Sequence, residues 1–267
     1  MSERIEKVEP FTWKTYEACL SAALESGYSF IGFERTAEGG TLPDAPFILL
    51  RHDIDYDPSR VLPISTMEAD KGIRATYFFQ ADSPFYRLDD PSTLSVIREV
   101  LKQGHNLGLH FDANSIEDDG EIVEAVERTA REMESRFETS ITAVSFHMPG
   151  YRNIKHLRLR NNRINTYSPV FFEKIEYVSD SNQNWRGKDL LQILRTRQYE
   201  RIQVLTHPIW WRETYSSLYV KIEELAAKLG ITVDDILTDD QRALIRESEE
   251  SERAAIFASQ DKARQQL

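Results

Sequence analysis

The stretch RHDIDYD, residues 51–57, follows directly on the apolar run PFILL and sets His52 and three carboxylates, Asp53, Asp55 and Asp57, within six positions. Like charges this close repel unless water or a cation screens them. In an extended chain, residues two apart face the same way, so Asp53 and Asp55 can meet one ion or one water. One carboxylate then serves as a metal ligand and the other as a general base, the cation separating their proton affinities. The alternative is a solvated, turn-forming acidic loop. Asp57, followed by Pro58, reads as a helix cap.

Further along, GHNLGLHFDAN holds His105, His110, Asp112 and Asn114. His110 and Asn114 are four apart, a separation that one helical turn closes, and imidazole with an oxygen donor suits zinc or a similar ion. His105, ahead of its strand, and His156, in a polar helix, read as structural hydrogen-bonders. His207 in VLTHPIWW stands between an apolar strand and two tryptophans. In a partly desolvated aromatic cleft an imidazole titrates near neutrality and serves as a general acid; the alternative is a strand-end histidine inside an aromatic cluster. Trp210 and Trp211 offer faces for a sugar ring, core packing being the other use of such rings.

These side chains share a location, just beyond the ends of apolar runs. FILL leads to Arg51, His52, Asp53 and Asp55; NLGL to His110, Asp112 and Asn114; AVSF to His147; EYVS to Asp180; QVL to Thr206 and His207. In parallel α/β folds, and in barrels especially, that rim is where sites are built. The elements needed to hold such a rim are present. Strand-like runs at PFILLRHD, RATYFF, NLGLHF, ITAVSFH, NRINTY, KIEYVSD and RIQVLTH alternate in the central part with helical patterns at 58–72, 91–103 and 121–137, which implies parallel pairing. Asp90 and Pro91 mark the start of the second of these helices and Gly104 its end. A helix over 11–27 precedes the strands, and another runs from Trp211 to Gly230. The last 37 residues have neither Gly nor Pro, are rich in charge and read as helical and peripheral.

The 267 residues, 40% of them hydrophobic, suffice for a sizeable core, and a net charge of −11 disfavours nucleic acid as a partner. The single cysteine, Cys19, excludes an intramolecular disulfide. No run reaches the roughly 18 apolar residues of a membrane span, and no export signal is visible, so a cytoplasmic location is expected.

Taken in order from about Phe47 to Trp211, these segments resemble the polysaccharide deacetylase family, metal-dependent esterases that remove N- or O-acyl groups from carbohydrates. The resemblance implies a distorted (β/α) barrel of about seven parallel strands; with the helix ahead of it and the one behind, this domain is expected over residues 1–230, and the composition of 231–267 sets these apart as a charged helical extension. It implies Asp53 as catalytic base and Asp55 as metal ligand, with Ile54 inserted between two residues that the family places side by side. His110 matches one metal-binding histidine; Asn114 stands where the family has a second, and Asn114, Asp112 and His147 are the candidates for the third ligand. In FHMPGYR, His147 precedes Met148 and Pro149 where the family has an Arg before Pro, with Arg152 beyond, so His147 either replaces that Arg or joins the metal. DSNQNW resembles a motif that supports the active-site side chains through its Asp, here Asp180, and walls the pocket through its Trp, here Trp185. LTHP supplies Leu205 and His207, the general acid.

The activity so implied is hydrolysis of an N- or O-acetyl group on a sugar, nucleotide- or lipid-linked, with a divalent ion, zinc foremost, as cofactor. Asp53 takes the proton of the attacking water and His207 protonates the leaving group. A backbone N–H near Tyr151 supports the oxyanion, Arg51 and Asp180 orient the two catalytic side chains, and Arg51, Tyr151, Trp185 and Trp210 border the substrate. RHDID together with LTHP resembles a divergent branch found with surface-polysaccharide (O-antigen or capsule) biosynthesis. Two other readings stand beside this one. The missing second histidine suggests a metal-free carbohydrate-binding pseudoenzyme. A metal-dependent hydrolase of another bond, such as a phosphoester, is disfavoured because only Arg51 and Arg152 are near to receive phosphate.

Overall fold

The computed structural model describes residues 9–36, 42–44, 46–149 and 153–247. Tyr151, Arg152 and residues 248–267 of the expected C-terminal extension lie outside them. In chain order the elements are α1 (Trp13–Glu25), β1 (Ser29–Phe30), β2 (Phe47–Ile54), α2 (Val61–Asp70), β3 (Thr76–Gln80), α3 (Pro91–Lys102), β4 (Asn106–Phe111), α4 (Asp119–Phe137), β5 (Ala143–Phe146), β6 (Ile164–Asn165), α5 (Val170–Glu173), β7 (Glu176–Ser179), α6 (Leu190–Arg195), β8 (Arg201–Thr206) and α7 (Leu218–Leu229).

Seven strands line up as β6-β5-β4-β3-β2-β8-β7, with β1 joining the start of β2, and every pairing is parallel. These are the seven strands read from the sequence. With helices around them they form an open, distorted α/β barrel, β6 and β7 at its edges. Parallel strands covered on both faces carry near-continuous apolar runs, and β2, between β3 and β8, is buried along its full length.

Register decides which side chains share the barrel interior. Asp53 is level with Phe78, Phe78 with Gly108, His110 with Ser145, Ala143 with Ile164, and Arg51 with Leu205. The lower interior is apolar, built on Phe47, Leu49, Phe78, Ala143 and Ile164 with Phe33, Phe171 and Ile175. The upper interior is polar, and it lies at the carboxyl ends of the strands.

Local signals set the helix ends. Thr12 and Asp118 accept from backbone N–H groups at the starts of α1 and α4, and the expected stripe Ile122, Val126, Met133 and Phe137 is the buried face of α4. Asp57 caps the short 3-10 turn Pro58–Arg60 that leads into α2. Asp90 stands at the head of α3 without a capping bond, because its carboxylate accepts from the Arg87 N–H instead. The helix expected from Trp211 starts only at Leu218. Trp211 is extended, Arg212 bridges to Thr12, and Ser217 supplies the cap.

The chain divides into two compact units, Met1–Tyr215 and Ser216–Leu267. The first holds the barrel. The second holds α7, which ends at a left-handed Gly230, a 3-10 turn at Val233–Asp235, and helical residues 239–247. Among the described residues no helix is long and apolar enough to cross a membrane.

Candidate active site

Asp55 follows the last residue of β2, and His110 lies near the end of β4. His147 follows β5, tied by its backbone N–H to the Phe111 carbonyl. The next residue, Met148, takes a left-handed φ of 37°, which turns the chain at the rim. The three side chains meet. His110 Nε2 is 3.0 Å from Asp55 Oδ1 and 3.0 Å from His147 Nδ1, and His147 Nδ1 is 3.5 Å from the same carboxylate oxygen. With metal–ligand bonds near 2.1 Å, adjacent ligand atoms sit about 3.0 Å apart in an octahedron and about 3.4 Å apart in a tetrahedron. Two imidazoles and a carboxylate at these separations therefore fit three neighbouring corners of a divalent ion's coordination shell. Asp55 Oδ1 is buried yet makes no hydrogen bond, as expected of an atom reserved for a cation. Burial pushes the Asp55 carboxyl up, but the neighbouring imidazoles outweigh it and hold the group well below the usual carboxylate range. Burial likewise lowers His147, and the Asp55 carboxylate more than offsets this, leaving a net rise.

Asn114 and Asp112, the other candidates for third ligand, lie on the loop after β4. Asn114 is exposed; its N–H bonds Asp112 Oδ1 at 2.8 Å and its side-chain amide reaches the Met148 carbonyl at 3.3 Å.

Behind this cluster sits Asp53. Arg51, two residues earlier on the same strand face, grips it with both arms of the guanidinium, Nε to Oδ1 at 2.9 Å and Nη2 to Oδ2 at 2.7 Å. Arg51 also donates to Thr166 Oγ1 at 3.1 Å, and its cation lies over the Phe78 and Tyr167 rings. It is fully buried, so its reach is to Asp53 and not to an arriving ligand. Burial raises the Asp53 carboxyl, and the Arg51 charge reverses that to a net lowering.

The opposite wall is a His–Asp pair. Asp180, after β7, is fully buried and receives the His207 backbone N–H, His207 Nδ1 at 2.6 Å and the Trp211 indole N–H at 2.9 Å. His207 points its other nitrogen at Asp55 Oδ2, 3.6 Å away. Burial lowers the imidazole, but Asp180 first, and then Asp55 and Asp53, push it up to about 9. Trp185 is half-buried, stacked on Phe11 at 5.9 Å and edge-on to Trp211 at 6.2 Å. Trp210 is 1% exposed, packed near Tyr56, which places it in the core and out of reach of a ligand. Tyr151 lies outside the described residues.

His105 and His156 have structural partners, His105 between the Ala75 N–H and the Ser65 carbonyl and His156 on exposed Asp119. The residue that motif reading passes over is Ser145. It touches Arg51, Asp53 and His110 at once. Its signal in the sequence is parity: counting back by two from His147 along AVSFH places Ser145 on the same strand face.

No family model and no curated protein matches the sequence. Solved structures similar to it include the peptidoglycan deacetylase PdaC from Bacillus subtilis, 18% identical over 79% of this chain and 96% of that one, with a TM-score of 0.45. The deacetylase PplD from Streptococcus pyogenes is 13% identical over 68% and 83%, with a TM-score of 0.44. The CE4 family pseudoenzyme BA3943 from Bacillus anthracis is 13% identical over 70% and 62%, with a TM-score of 0.41. In the order and kind of its rim residues, from Asp53 to His207, the chain resembles the polysaccharide deacetylases.

Proposed function

We propose that the protein is a metal-dependent deacetylase that hydrolyses an N- or O-acetyl group on a sugar. The observation that carries this reading is the convergence of three parts on one rim: the Asp55–His110–His147 cluster, an arginine-held Asp53 beside it, and the Asp180–His207 pair facing it. Asp55, His110 and His147 would hold a divalent ion, which would supply Lewis-acid chemistry and make a nearby water more acidic. Asp53, kept ionised by Arg51, takes that water's proton. His207, kept protonated by Asp180, gives its proton to the departing amine or alkoxide. Trp185 offers a half-exposed ring face to the sugar. The case for a metal-free binding protein rested on Asn114; His147, 3.0 Å from His110, supplies the imidazole that the motif lacks and favours the enzyme. The substrate we favour is an acetylated amino sugar of a surface polysaccharide, presented as a nucleotide- or lipid-linked intermediate.

The test is acetate release from acetylated amino sugars offered as free sugar, nucleotide sugar and oligomer. Release is expected to stop with chelator and return with a divalent ion. Asp53→Asn and His207→Ala are expected to abolish turnover and keep bound metal by elemental analysis, whereas Asp55→Ala and His110→Ala lose the metal. No release from any of the three substrates by metal-loaded protein would refute the deacetylase reading.

A further inference from the structure

We infer that Ser145 is a positioning residue that fixes the tautomer of His110, so that Nε2 always presents a lone pair to the metal cluster; this rests on the metal-centre reading above. The protons around Ser145 admit one arrangement. Ser145 Oγ has three close partners: Arg51 Nη2 at 2.9 Å, Asp53 Oδ2 at 3.0 Å and His110 Nδ1 at 2.6 Å. A hydroxyl owns one proton and two lone pairs. A guanidinium only donates, so one lone pair is taken by Arg51. Asp53, gripped at both oxygens by that guanidinium, is a carboxylate and only accepts, so it takes the hydroxyl proton. The remaining lone pair faces His110 Nδ1, which must therefore be the N–H donor.

His110 Nε2 is then left bare, 3.0 Å from Asp55 Oδ1. In this tautomer Nε2 has no proton to give, in keeping with an Asp55 Oδ1 that accepts no hydrogen bond at good geometry. Without a metal that bare nitrogen accepts from His147 Nδ1 at 3.0 Å; with that proton gone, three ligand atoms face one another in the arrangement a divalent ion takes. One hydroxyl on β5 thus links the base on β2 to the ligand on β4, and the arginine that holds the base also polarises the hydroxyl that sets the ligand. Ser145 is fully buried, so water cannot replace it.

The test uses the full chain stripped of metal with chelator, and reads the ring nitrogens of His110 by ¹⁵N NMR. The wild type is expected to show protonated Nδ1 and bare Nε2; a wild-type His110 protonated at Nε2 alone overturns the inference whatever the variants do. Ser145→Ala, with folding checked by its melting temperature, is expected to lose the single tautomer and to weaken calorimetric binding of Zn²⁺ about 10- to 100-fold. Unchanged tautomer and unchanged Zn²⁺ affinity in that variant also overturn it. If the wild type takes up no divalent ion, the metal-centre reading fails, while the NMR arm still decides the role of Ser145.

Discussion

At the scale of residues, the site separates its charges so that each group keeps one job. Asp180 spends its oxygens on three donors, all on or near His207, and it is through this carboxylate that His207 stays protonated. Replacing Asp180 by Asn keeps the shape and removes the charge. Turnover should fall about 10²- to 10⁴-fold, with KM nearly unchanged and metal content intact, by steady-state kinetics and elemental analysis. A pH signature accompanies it in the metal-free protein. His207 is raised from 6.5 to about 9, so its pairing stabilises the fold fully below pH 6.5 and is lost as pH rises through about 9. Asp180→Asn should flatten that fall in chelator-treated protein followed by urea denaturation; an equal slope in both proteins would show that the pair does not hold the proton. Asp53, Asp55, His110 and His207 were legible in the sequence because each follows an apolar run that can only be a strand. That His147, and not Asn114 or Asp112, meets Asp55 and His110 was not, because it requires knowing how far β5 is shifted against β4.

At the scale of elements, the strands place chemistry by parity and the core by close approach. The glycine in the middle of NLGLHF illustrates the second. Gly108 is level with Phe78, and a Cβ there would stand 2.4 Å from the Phe78 ring. That ring belongs to the lower core and also lies under the Arg51 guanidinium. Gly108→Ala must push the ring, and overpacking of this kind costs about 1–3 kcal/mol. The loss should be visible in urea denaturation, together with lowered turnover, since Arg51 and hence Asp53 move with Phe78; wild-type stability in this variant would mean the ring has room the packing does not show. Strand identity was readable here, and so was the amphipathic α4. The helix expected from Trp211 was overextended because Trp211, Arg212 and the residues to Ser217 carry no breaker, and only the bridge to Thr12 shows that this stretch is held extended.

At the scale of the whole barrel unit, the opposite face of the sheet carries a second ionic knot, centred on Glu68 of α2. Glu68 is fully buried, accepts hydroxyls from Tyr16 of α1 and from Tyr77 of β3, the latter at 2.6 Å, and lies 2.9 Å from His52 of β2. His52 in turn bonds Thr206 at the end of β8 at 2.7 Å, one residue before His207. The sequence carried a trace of this: Val61, Ile64, Ser65 and Glu68 follow the helical spacing of a buried face, though a charge in ISTMEAD reads first as solvated. Burial raises the Glu68 carboxyl, and His52 foremost reverses this to a net lowering. A depressed carboxylate stabilises the fold above its unfolded value of 4.5, and the contribution disappears as pH falls through the lower folded value. Glu68→Gln, which takes an acceptor from two buried tyrosine hydroxyls, should therefore cost about 1–3 kcal/mol at pH 7. The gap to wild type should shrink as pH is lowered below 4.5. The net charge is −11 in the wild type and one unit less negative in the variant, so acid relieves nearly the same general repulsion in each and the difference between their urea midpoints reports mainly on the knot. Equal midpoints at pH 7 would mean that Glu68 only fills space, and that β2 and β8, which lead to Asp55 and His207, are held by their backbone ladder and the His52–Thr206 bond without it.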